Sequence, residues 1–272
     1  MATFSKIAIV GGGNLGSSIA KGILSIDNFK KEDLVICEKR KLRVNYLKEA
    51  GFNVVDTDLK AALKNADVVI VSVKPQQFKD VLEEIKSILT PKQVLISTVT
   101  GVTLNEIGQV VGNKPTVRIM PNTAIEIRES MTCICFKNTS KDEEEQTISL
   151  FDKLGKTIIL QEELLDAVTV LGACGIAFAL RFIRAATQGG IEIGFSAEVS
   201  QFIVAQTVKG ASRLLLENES HPEQEIDKVT TPQGITISGL NEMEHQGFSS
   251  SVIKGLITSY NKLSAIETNK KS

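Results

Sequence analysis

The sequence is poor in the residues that hold metal ions and disulfide frameworks. Its 272 residues include only two histidines, His221 and His245, and four cysteines. Four dispersed cysteines are typical of a reduced intracellular protein rather than a disulfide-stabilised one. A zinc-type site needs three or four such ligands close together, and two histidines leave few candidates. We therefore expect no metal site and a cytoplasmic location.

The sequence also lacks an excess of charge of either sign. Lysine and arginine number 31 and the acidic residues 32, which gives a net charge of −1. Proteins that bind nucleic acids or acidic membranes carry a basic excess, so we expect neither partner. The segment 1–5 before the first apolar run is too short for a signal peptide. These absences favour a soluble intracellular protein.

A glycine-rich loop follows the first apolar run. Residues 6–10 predict a buried strand, and Gly11, Gly13 and Gly16 follow with G-x-G-x-x-G spacing before a helical pattern. In such loops the glycines permit a tight turn, close approach to a pyrophosphate and close packing of helix on strand. The start of the helix offers free N–H groups to the phosphates. We therefore predict a dinucleotide-binding loop with contacts from Gly11, Gly13, Asn14, Leu15 and Gly16.

The choice between NAD(H) and NADP(H) depends on the end of the second predicted strand. Glu38 ends it about 22 residues after Gly16, where an acidic residue can bind the ribose hydroxyls of NAD. Basic residues follow directly and could instead neutralise the 2′-phosphate of NADP. They are Lys39, Arg40, Lys41 and Arg43. These signals conflict, so both cofactors stay open, with Glu38, Lys39 and Arg40 as candidate contacts.

Strand-like and helix-like segments alternate through the first part of the chain. The stretch 66–73 is apolar without interruption, as in strands buried on both faces of a parallel sheet. Other short apolar runs are separated by amphipathic stretches with helical spacing. This alternation is typical of α/β proteins. It predicts an α/β Rossmann domain, with a doubly wound parallel sheet, over residues 1–161.

Two of the predicted strands end in residues suited to a ligand site. The stretch 66–73 is followed by Lys74 and Pro75, and the strand 116–120 is followed by Asn122 after one proline. Ligands of such sheets bind outside the carboxyl ends of the strands. The candidate cofactor contacts therefore also include Val73, Lys74, Pro75 and Asn122.

Residues 162–272 contain no convincing strand and are dominated by helical spacing. The stretch 164–180 is apolar almost all round, but it contains an aspartate and is shorter than a transmembrane helix. A helix that is apolar on every side is more typical of burial between subunits. Left uncovered, it would expose a large apolar patch. We therefore predict an all-α C-terminal domain over 162–272 that forms a homodimer.

A second candidate ligand site lies in this helical half. Thr231 and Pro232 predict a helix N-cap with proline in the first turn. Gly234 allows a ligand to approach the backbone closely, and the N–H groups of a helix start can bind a carboxylate. Thr236 would place a hydroxyl close to that carboxylate.

Together these motifs resemble the Δ1-pyrroline-5-carboxylate reductase family. The resemblance extends from about Ile7 to about Leu263. It is carried, in the family's order, by the glycine loop, Val73–Pro75, Met120–Thr123, Leu165–Thr169, Gly189-Gly190 and Thr231-Pro232-Gln233-Gly234-Ile235-Thr236. It implies an N-terminal Rossmann domain, a helical domain that interlocks with a second subunit, and rings of dimers in some members. It also implies reduction of a cyclic imino acid to proline with NADPH or NADH.

The resemblance implies roles for individual residues as well. The Thr236 hydroxyl would hydrogen-bond the ring nitrogen of L-1-pyrroline-5-carboxylate, where charge builds during hydride addition. Glu219 would face the same nitrogen and can come from the partner subunit. The other substrate contacts would come from Thr231, Gln233, Gly234 and Ile235.

The distribution of lysine favours imine reduction over oxidation of an alcohol. The related β-hydroxyacid dehydrogenases share the two-domain plan but use a lysine on the first long C-terminal helix for proton transfer. This chain has no lysine between Lys156 and Lys209. Nor is there a histidine near the strand ends to act as general base.

Departures from the family's pattern leave the substrate open. The family usually has Ser-Gly-Ser-Gly-Pro-Ala-Tyr at 172–178, where this chain has Gly-Ala-Cys-Gly-Ile-Ala-Phe, and it usually has proline in place of Ala124. It also has glycine where this chain has Gln233. Either the pocket accepts a different cyclic imino acid, or the chain is a non-catalytic NAD(P)-binding homologue.

Overall fold

The apolar runs of the first part of the chain form an eight-stranded sheet. A computed structural model describes residues 4–27, 29–55 and 57–271, with side chains through residue 265. The strands are β1 (Ile7–Val10), β2 (Leu34–Cys37), β3 (Val54–Val55), β4 (Val68–Val71), β5 (Val94–Ser97), β6 (Thr116–Met120), β7 (Ser130–Lys137) and β8 (Gly155–Ile159). Four of them, β1, β4, β5 and β6, are buried along their whole length, as expected for the centre of a parallel sheet.

The order of the strands is β3-β2-β1-β4-β5-β6-β7-β8. Neighbouring strands are parallel except β6 and β7, which are antiparallel. The predicted doubly wound Rossmann sheet is therefore confirmed, with one reversed pair. The chain order reverses around β1, where Val10 pairs with Cys37 of β2 on one side and Val71 of β4 on the other. Ligands of such sheets bind outside the strand ends at this point of reversal.

Helices cover both faces of the sheet. They are α1 (Asn14–Leu24), α2 (Lys41–Glu49), α3 (Leu59–Leu63), α4 (Pro75–Lys86), α5 (Leu104–Val111) and α6 (Lys141–Asp152). Alternate residues of β1 enter two separate cores, because successive side chains of a strand point to opposite faces. Ile7 and Ile9 pack with α1, α2 and α6, whereas Ala8 and Val10 pack with α3, α4 and α5.

The chain divides into two compact units, but not at the end of β8. The first unit comprises Met1–Cys174 with Lys262–Ser272, and the second comprises Gly175–Asn261. The segment after β8 stays with the sheet because its apolar side chain at Leu165 is fully buried. In addition, the buried Arg118 of β6 forms ion pairs with Glu162 and Asp166, each at 3.2 Å. This anchoring explains why the compact unit extends beyond the boundary predicted at residue 161.

A continuous helical run of 31 residues, Glu162–Glu192, connects the two units. It consists of a short 3₁₀ turn, α7 (Leu165–Val168), a π-helical segment over 169–174 and α8 (Gly175–Glu192). The run is longer than the stretch 164–180 from which we argued against a membrane span. By length and composition alone it could cross a membrane. A single helix of this kind is weak support for a span, because helices buried in soluble proteins have the same properties.

The second unit is helical throughout. It contains α8, α9 (Ala197–Asn218), α10 (Pro222–Val229), α11 (Ile235–His245) and the first part of α12 (Phe248–Lys271). Helices α8 and α9 approach closely at Gly190, where any side chain would overlap the Ser200 hydroxyl. That hydroxyl donates a hydrogen bond to the Thr187 carbonyl at 2.8 Å.

Two local predictions for this unit were wrong. The polar sequence of 218–232 predicts a loop between α9 and the following helix, but α10 forms there because His221 caps it and Pro222 occupies its first turn. We also expected Thr231 to cap the next helix. Instead α11 begins at Ile235, and its N-cap is Gly234.

Candidate active site

The glycine loop connects β1 to α1 at the point where the sheet order reverses. Gly11 has a φ of +106°, and a side chain there would overlap the Ser72 carbonyl beyond β4. A side chain at Gly16 would overlap the carbonyl oxygen of Gly11. Both positions therefore require glycine even without a ligand. Gly11 allows the tight turn, and Gly16 allows α1 to pack closely against the loop.

Gly13 is different, because the space beside it is open. A Cβ atom added at Gly13 would meet no other atom within 4 Å. Gly13 is the N-cap of α1, and the first backbone N–H groups of the helix have no partner within the helix. The residues that carry them are Asn14, Leu15 and Gly16. A bare backbone beside unpartnered N–H groups suits a diphosphate, so this loop fits the dinucleotide expected from the sequence.

Glu38 lies just beyond the end of β2, with its side chain only 5% exposed. Its Oε1 atom accepts hydrogen bonds from the Arg40 backbone N–H at 2.9 Å and from Arg40 Nε at 3.0 Å. Its Oε2 atom accepts one from Arg40 Nη2 at 2.9 Å and one from the Gly12 backbone N–H at 3.1 Å. The carboxylate thus ties the start of α2 to the glycine loop.

These contacts fix the charge states of the pair. Burial acts to raise the pKa of Glu38, but the hydrogen bonds from the Arg40 side chain and backbone outweigh it and lower the pKa below its usual value. The hydrogen bonds to Glu38 also raise the pKa of Arg40. Both groups are therefore charged at neutral pH.

Arg43 is a loop contact that the sequence did not assign. We considered it only as a cation for the 2′-phosphate, but its guanidinium donates to the Gly12 carbonyl at 2.5 Å and to the Gly13 carbonyl at 3.2 Å. It also donates to the Ser17 hydroxyl at 2.9 Å and lies over the Tyr46 ring at 4.6 Å. Spacing of three between Arg43 and Tyr46 at the start of a helix is the only local signal for this stacked arrangement.

The remaining cofactor candidates lie at the carboxyl edge of the sheet. Val73 and Lys74 follow β4, the neighbour of β1, and Lys74 is the exposed N-cap of α4 with Pro75 in the first turn. Asn122 follows β6 and is half-buried; its side chain accepts from Ala124 N–H at 3.0 Å and donates to the Gly172 carbonyl at 3.3 Å.

The segment Thr231–Thr236 forms a tight turn followed by a helix start. The Gly234 N–H donates to the Thr231 carbonyl at 2.9 Å, which closes a turn with Pro232 and Gln233 at its two central positions. Gln233 has a φ of +59°. Proline followed by a residue of positive φ is the pattern of a type II turn, whose third position favours glycine. The departure from the family pattern at Gln233 therefore falls on a strained position.

The two residues assigned to the ring nitrogen are both exposed. Thr236 is the second residue of α11, where its backbone N–H has no helical partner, and Ile235 before it is 93% exposed. Glu219 follows α9 directly, in a left-handed conformation with a φ of +51°. The start of α11 thus leaves backbone N–H groups without a helical partner, and an exposed threonine lies in its first turn.

The strand order and the glycine loop define a dinucleotide-binding protein of the Rossmann class, with a helical second unit. The family described as NADP oxidoreductase, coenzyme F420-dependent, matches residues 6–101, and the family described as pyrroline-5-carboxylate reductase dimerisation matches residues 162–266. The chain is 44% identical to pyrroline-5-carboxylate reductase 2 of Dictyostelium discoideum, over 95% of this chain and 92% of that protein. It belongs to the pyrroline-5-carboxylate reductase family.

Other relatives agree with this assignment. The chain is 45% identical to pyrroline-5-carboxylate reductase 1 of Dictyostelium discoideum over 97% of its own length, but it spans only 50% of that protein. A crystal structure of Plasmodium falciparum pyrroline carboxylate reductase with NADP bound is similar, with a TM-score of 0.85 and 26% identity. The match covers 96% of this chain and 98% of that one.

A matched pair of substitutions tests the two kinds of glycine in the loop. Gly13→Ala fills open space, so we expect the free energy of unfolding to change by no more than about 1 kcal/mol. Dinucleotide affinity should fall at least about tenfold, because the new methyl group lies where the diphosphate approaches. Gly16→Ala should instead destabilise the fold by about 2 kcal/mol or more, because its methyl group overlaps backbone.

Urea unfolding and titration of nicotinamide fluorescence measure the two effects separately. Tight dinucleotide binding by the Gly13→Ala variant would show that the loop does not contact the cofactor. Normal stability of the Gly16→Ala variant would contradict the packing described above.

The strain at Gln233 gives a second prediction. A side chain in the left-handed conformation destabilises the folded state by about 1 kcal/mol or more. Gln233→Gly relieves this strain, and the relief exceeds the entropy that glycine adds to the unfolded chain. We expect the variant to be as stable as the parent protein or slightly more stable in urea unfolding. Gln206→Gly, within α9, is the matched control and should lose about 1 kcal/mol. Equal losses in the two variants would rule out strain at Gln233.

Proposed function

We propose that the protein reduces L-1-pyrroline-5-carboxylate to L-proline with NADPH or NADH. The single observation that carries the proposal is that one chain combines the diphosphate-type glycine loop with the turn and helix start at Thr231–Thr236. The relatives described above are named for this activity and match nearly the whole of this chain. Hydride addition to a C=N bond needs no lysine or histidine base, and the chain supplies neither on its first long C-terminal helix.

The residues of the first unit hold and orient the cofactor. The N–H groups at the start of α1 bind the diphosphate, and the bare backbone at Gly13 allows it to approach. Val73, Lys74, Pro75 and Asn122 lie at the same edge of the sheet, where the remainder of the dinucleotide extends. When bound, the reduced nicotinamide supplies a hydride.

The residues of the second unit bind the imino acid. Unpartnered N–H groups at the start of α11 receive the substrate carboxylate, beside Thr231, Gln233, Gly234 and Ile235. The Thr236 hydroxyl hydrogen-bonds the ring nitrogen, so that the charge developing there during hydride addition is stabilised in place. Glu219 faces the same nitrogen and is placed to pass on the proton that the nitrogen gains when hydride addition turns the C=N bond into the C–N bond of L-proline.

We further propose that the protein is a homodimer through its C-terminal helices. Large apolar side chains of α8 and α9 are exposed in the single chain, and exposed apolar surface of this kind marks sites of protein–protein contact. They include Leu180, Phe182, Ile191, Phe202, Ile203 and Leu216. All of them lie within residues 162–266, which match the dimerisation family. A second subunit would also cover the apolar run Glu162–Glu192 without a membrane.

Turnover with five- and six-membered cyclic imino acids, each with NADPH and with NADH, tests the reaction. We expect oxidation of the nicotinamide only with the five-membered imine. Preference for the six-membered ring would assign the altered turn at Gln233 to a different substrate. Dinucleotide binding without turnover on either imine would contradict the proposed enzyme.

Substitution of Thr236 tests the mechanism. Thr236→Ala should lower kcat by about 10²-fold, because a donor aimed at the developing charge is lost. Dinucleotide affinity should be unchanged, and Thr236→Ser should restore most of the rate because it keeps the hydroxyl. A Thr236→Ala variant with normal kcat would remove this hydroxyl from the reaction.

A charge placed on the apolar patch tests the dimer. Phe202 is 74% exposed in the single chain, and burying a glutamate in its place across an interface is costly. Phe202→Glu should therefore sediment as a monomer where the parent protein sediments as a dimer. Ile127→Glu, at a side chain 71% exposed outside the dimerisation region, is the control and should stay dimeric. A dimeric Phe202→Glu variant would place the interface elsewhere.

A further inference from the structure

We infer that Glu38 is not the ribose-hydroxyl acceptor of an NAD site, and that it holds Arg40 in place as the selector of a 2′-phosphate. The protein would then prefer NADPH to NADH. This inference rests on the proposed use of a nicotinamide dinucleotide, but not on the identity of the imino acid.

The first argument is the number of acceptor positions on Glu38. A carboxylate offers about four lone-pair sites, two on each oxygen. Oε1 accepts from the Arg40 backbone N–H and from Arg40 Nε, and Oε2 accepts from Arg40 Nη2 and from the Gly12 N–H. All four sites are therefore used within the chain, and a ribose hydroxyl would have to displace one of these donors.

Displacement is unfavourable because of where the contacts lie. The Glu38 side chain is 5% exposed, so a donor removed from it is not replaced by water. Charge-assisted hydrogen bonds of this bidentate kind are among the stronger ones in proteins. Two of the four donors are backbone N–H groups, which cannot turn away without moving the glycine loop or the start of α2. The Glu38 carboxylate is therefore not free to accept hydrogen bonds from the ribose hydroxyls of NAD.

Arg40, unlike Glu38, is largely exposed to solvent. Its side chain is 59% exposed, although its Nε and Nη2 atoms are fixed on Glu38. A guanidinium carries five N–H groups, and the contacts with Glu38 use two of them. The remaining groups are held in a defined orientation at the end of β2, where the adenosine ribose of a Rossmann site lies. A planar, pre-oriented guanidinium suits recognition of a phosphate.

The side chains around Arg40 also leave this region with a net positive charge. The negative charge of Glu38 is balanced by Arg40, and Lys39 beside them is exposed. Arg43 does not compete for the phosphate because it is bound to the carbonyl groups of Gly12 and Gly13. The net local charge is positive, which attracts a 2′-phosphate and gains nothing from an uncharged 2′-hydroxyl.

Binding measurements without imino acid test the inference. The dissociation constants of NADPH and NADH are measured by nicotinamide fluorescence. Those of adenosine 2′,5′-bisphosphate and AMP, which carry no nicotinamide, are measured by competition. We expect NADPH to bind at least about tenfold more tightly than NADH, and the bisphosphate to show the same advantage over AMP. Equal affinities, or tighter binding of NADH, would overturn the inference.

Substitutions then locate the preference. Arg40→Ala should weaken NADPH at least about tenfold and NADH by less than about threefold, because only the phosphate contact is lost. Lys41→Ala removes the same charge from an adjacent exposed position and should weaken NADPH by less than about threefold. Lys86→Ala, on the far part of α4, should change neither dissociation constant. An Arg40→Ala variant no different from Lys41→Ala would contradict the role of Arg40.

Glu38→Gln separates the two roles of the carboxylate. If Glu38 only positions Arg40 and the loop, the variant should weaken NADPH at least as much as NADH. A selective loss of NADH affinity would restore Glu38 as the ribose contact and overturn the inference. If the variant fails to fold, the Arg40→Ala result still decides between the two. Because no imino acid is present, failure of the proposed reaction would leave all of these binding results interpretable.

Discussion

The structure depends most on the close approach of α1 to the end of β1. Gly16 lies against the carbonyl of Gly11, and Gly11 lies against the backbone beyond β4, with no room for a side chain at either contact. This approach directs the first N–H groups of α1 to the carboxyl edge of the sheet. It also sets the Gly12 N–H within reach of Glu38, and the Gly12 and Gly13 carbonyls within reach of Arg43. One steric constraint therefore orders both the proposed diphosphate site and the charged cluster beside it.

The sequence was sufficient for features that repeat along the chain. Apolar runs such as Val68–Val71 and the G-x-G-x-x-G spacing of Gly11, Gly13 and Gly16 depend on local chemistry, so the Rossmann sheet and its loop could be predicted. The reversal of β7 could not be, because an apolar strand has the same pattern in either direction. The short helix α10 was missed because the segment is polar and only its caps mark it.

Side-chain partners were the least predictable part. The sequence placed Glu38 beside four cations but could not tell which of them would bind it, and the structure selects Arg40 with two contacts from one guanidinium. The compact sheet unit extends past the predicted residue 161 for a similar reason, since the ion pairs of Arg118 with Glu162 and Asp166 join residues far apart in the chain. The strain at Gln233 was signalled only by the glycine usual in the family, because a positive φ leaves no mark in composition.

The helical unit and the sheet unit have separate tasks in this account. The sheet unit binds a hydride donor, and we propose that the helical unit binds the substrate at the start of α11 and a second subunit through its exposed apolar side chains. The turn before α11 keeps the shape of a glycine-containing turn although Gln233 occupies it. The turn therefore keeps a left-handed residue at this position at some cost in stability.

The most direct test of the proposed reduction follows the transferred hydrogen itself. The protein is incubated with L-1-pyrroline-5-carboxylate and NADPH carrying deuterium at the transferable position of the nicotinamide ring, and the product is examined by mass spectrometry and NMR. We expect L-proline with one deuterium on the ring carbon that is bonded to nitrogen but not to the carboxylate. Proline without deuterium, or no proline while the labelled cofactor binds, would contradict the proposed reduction.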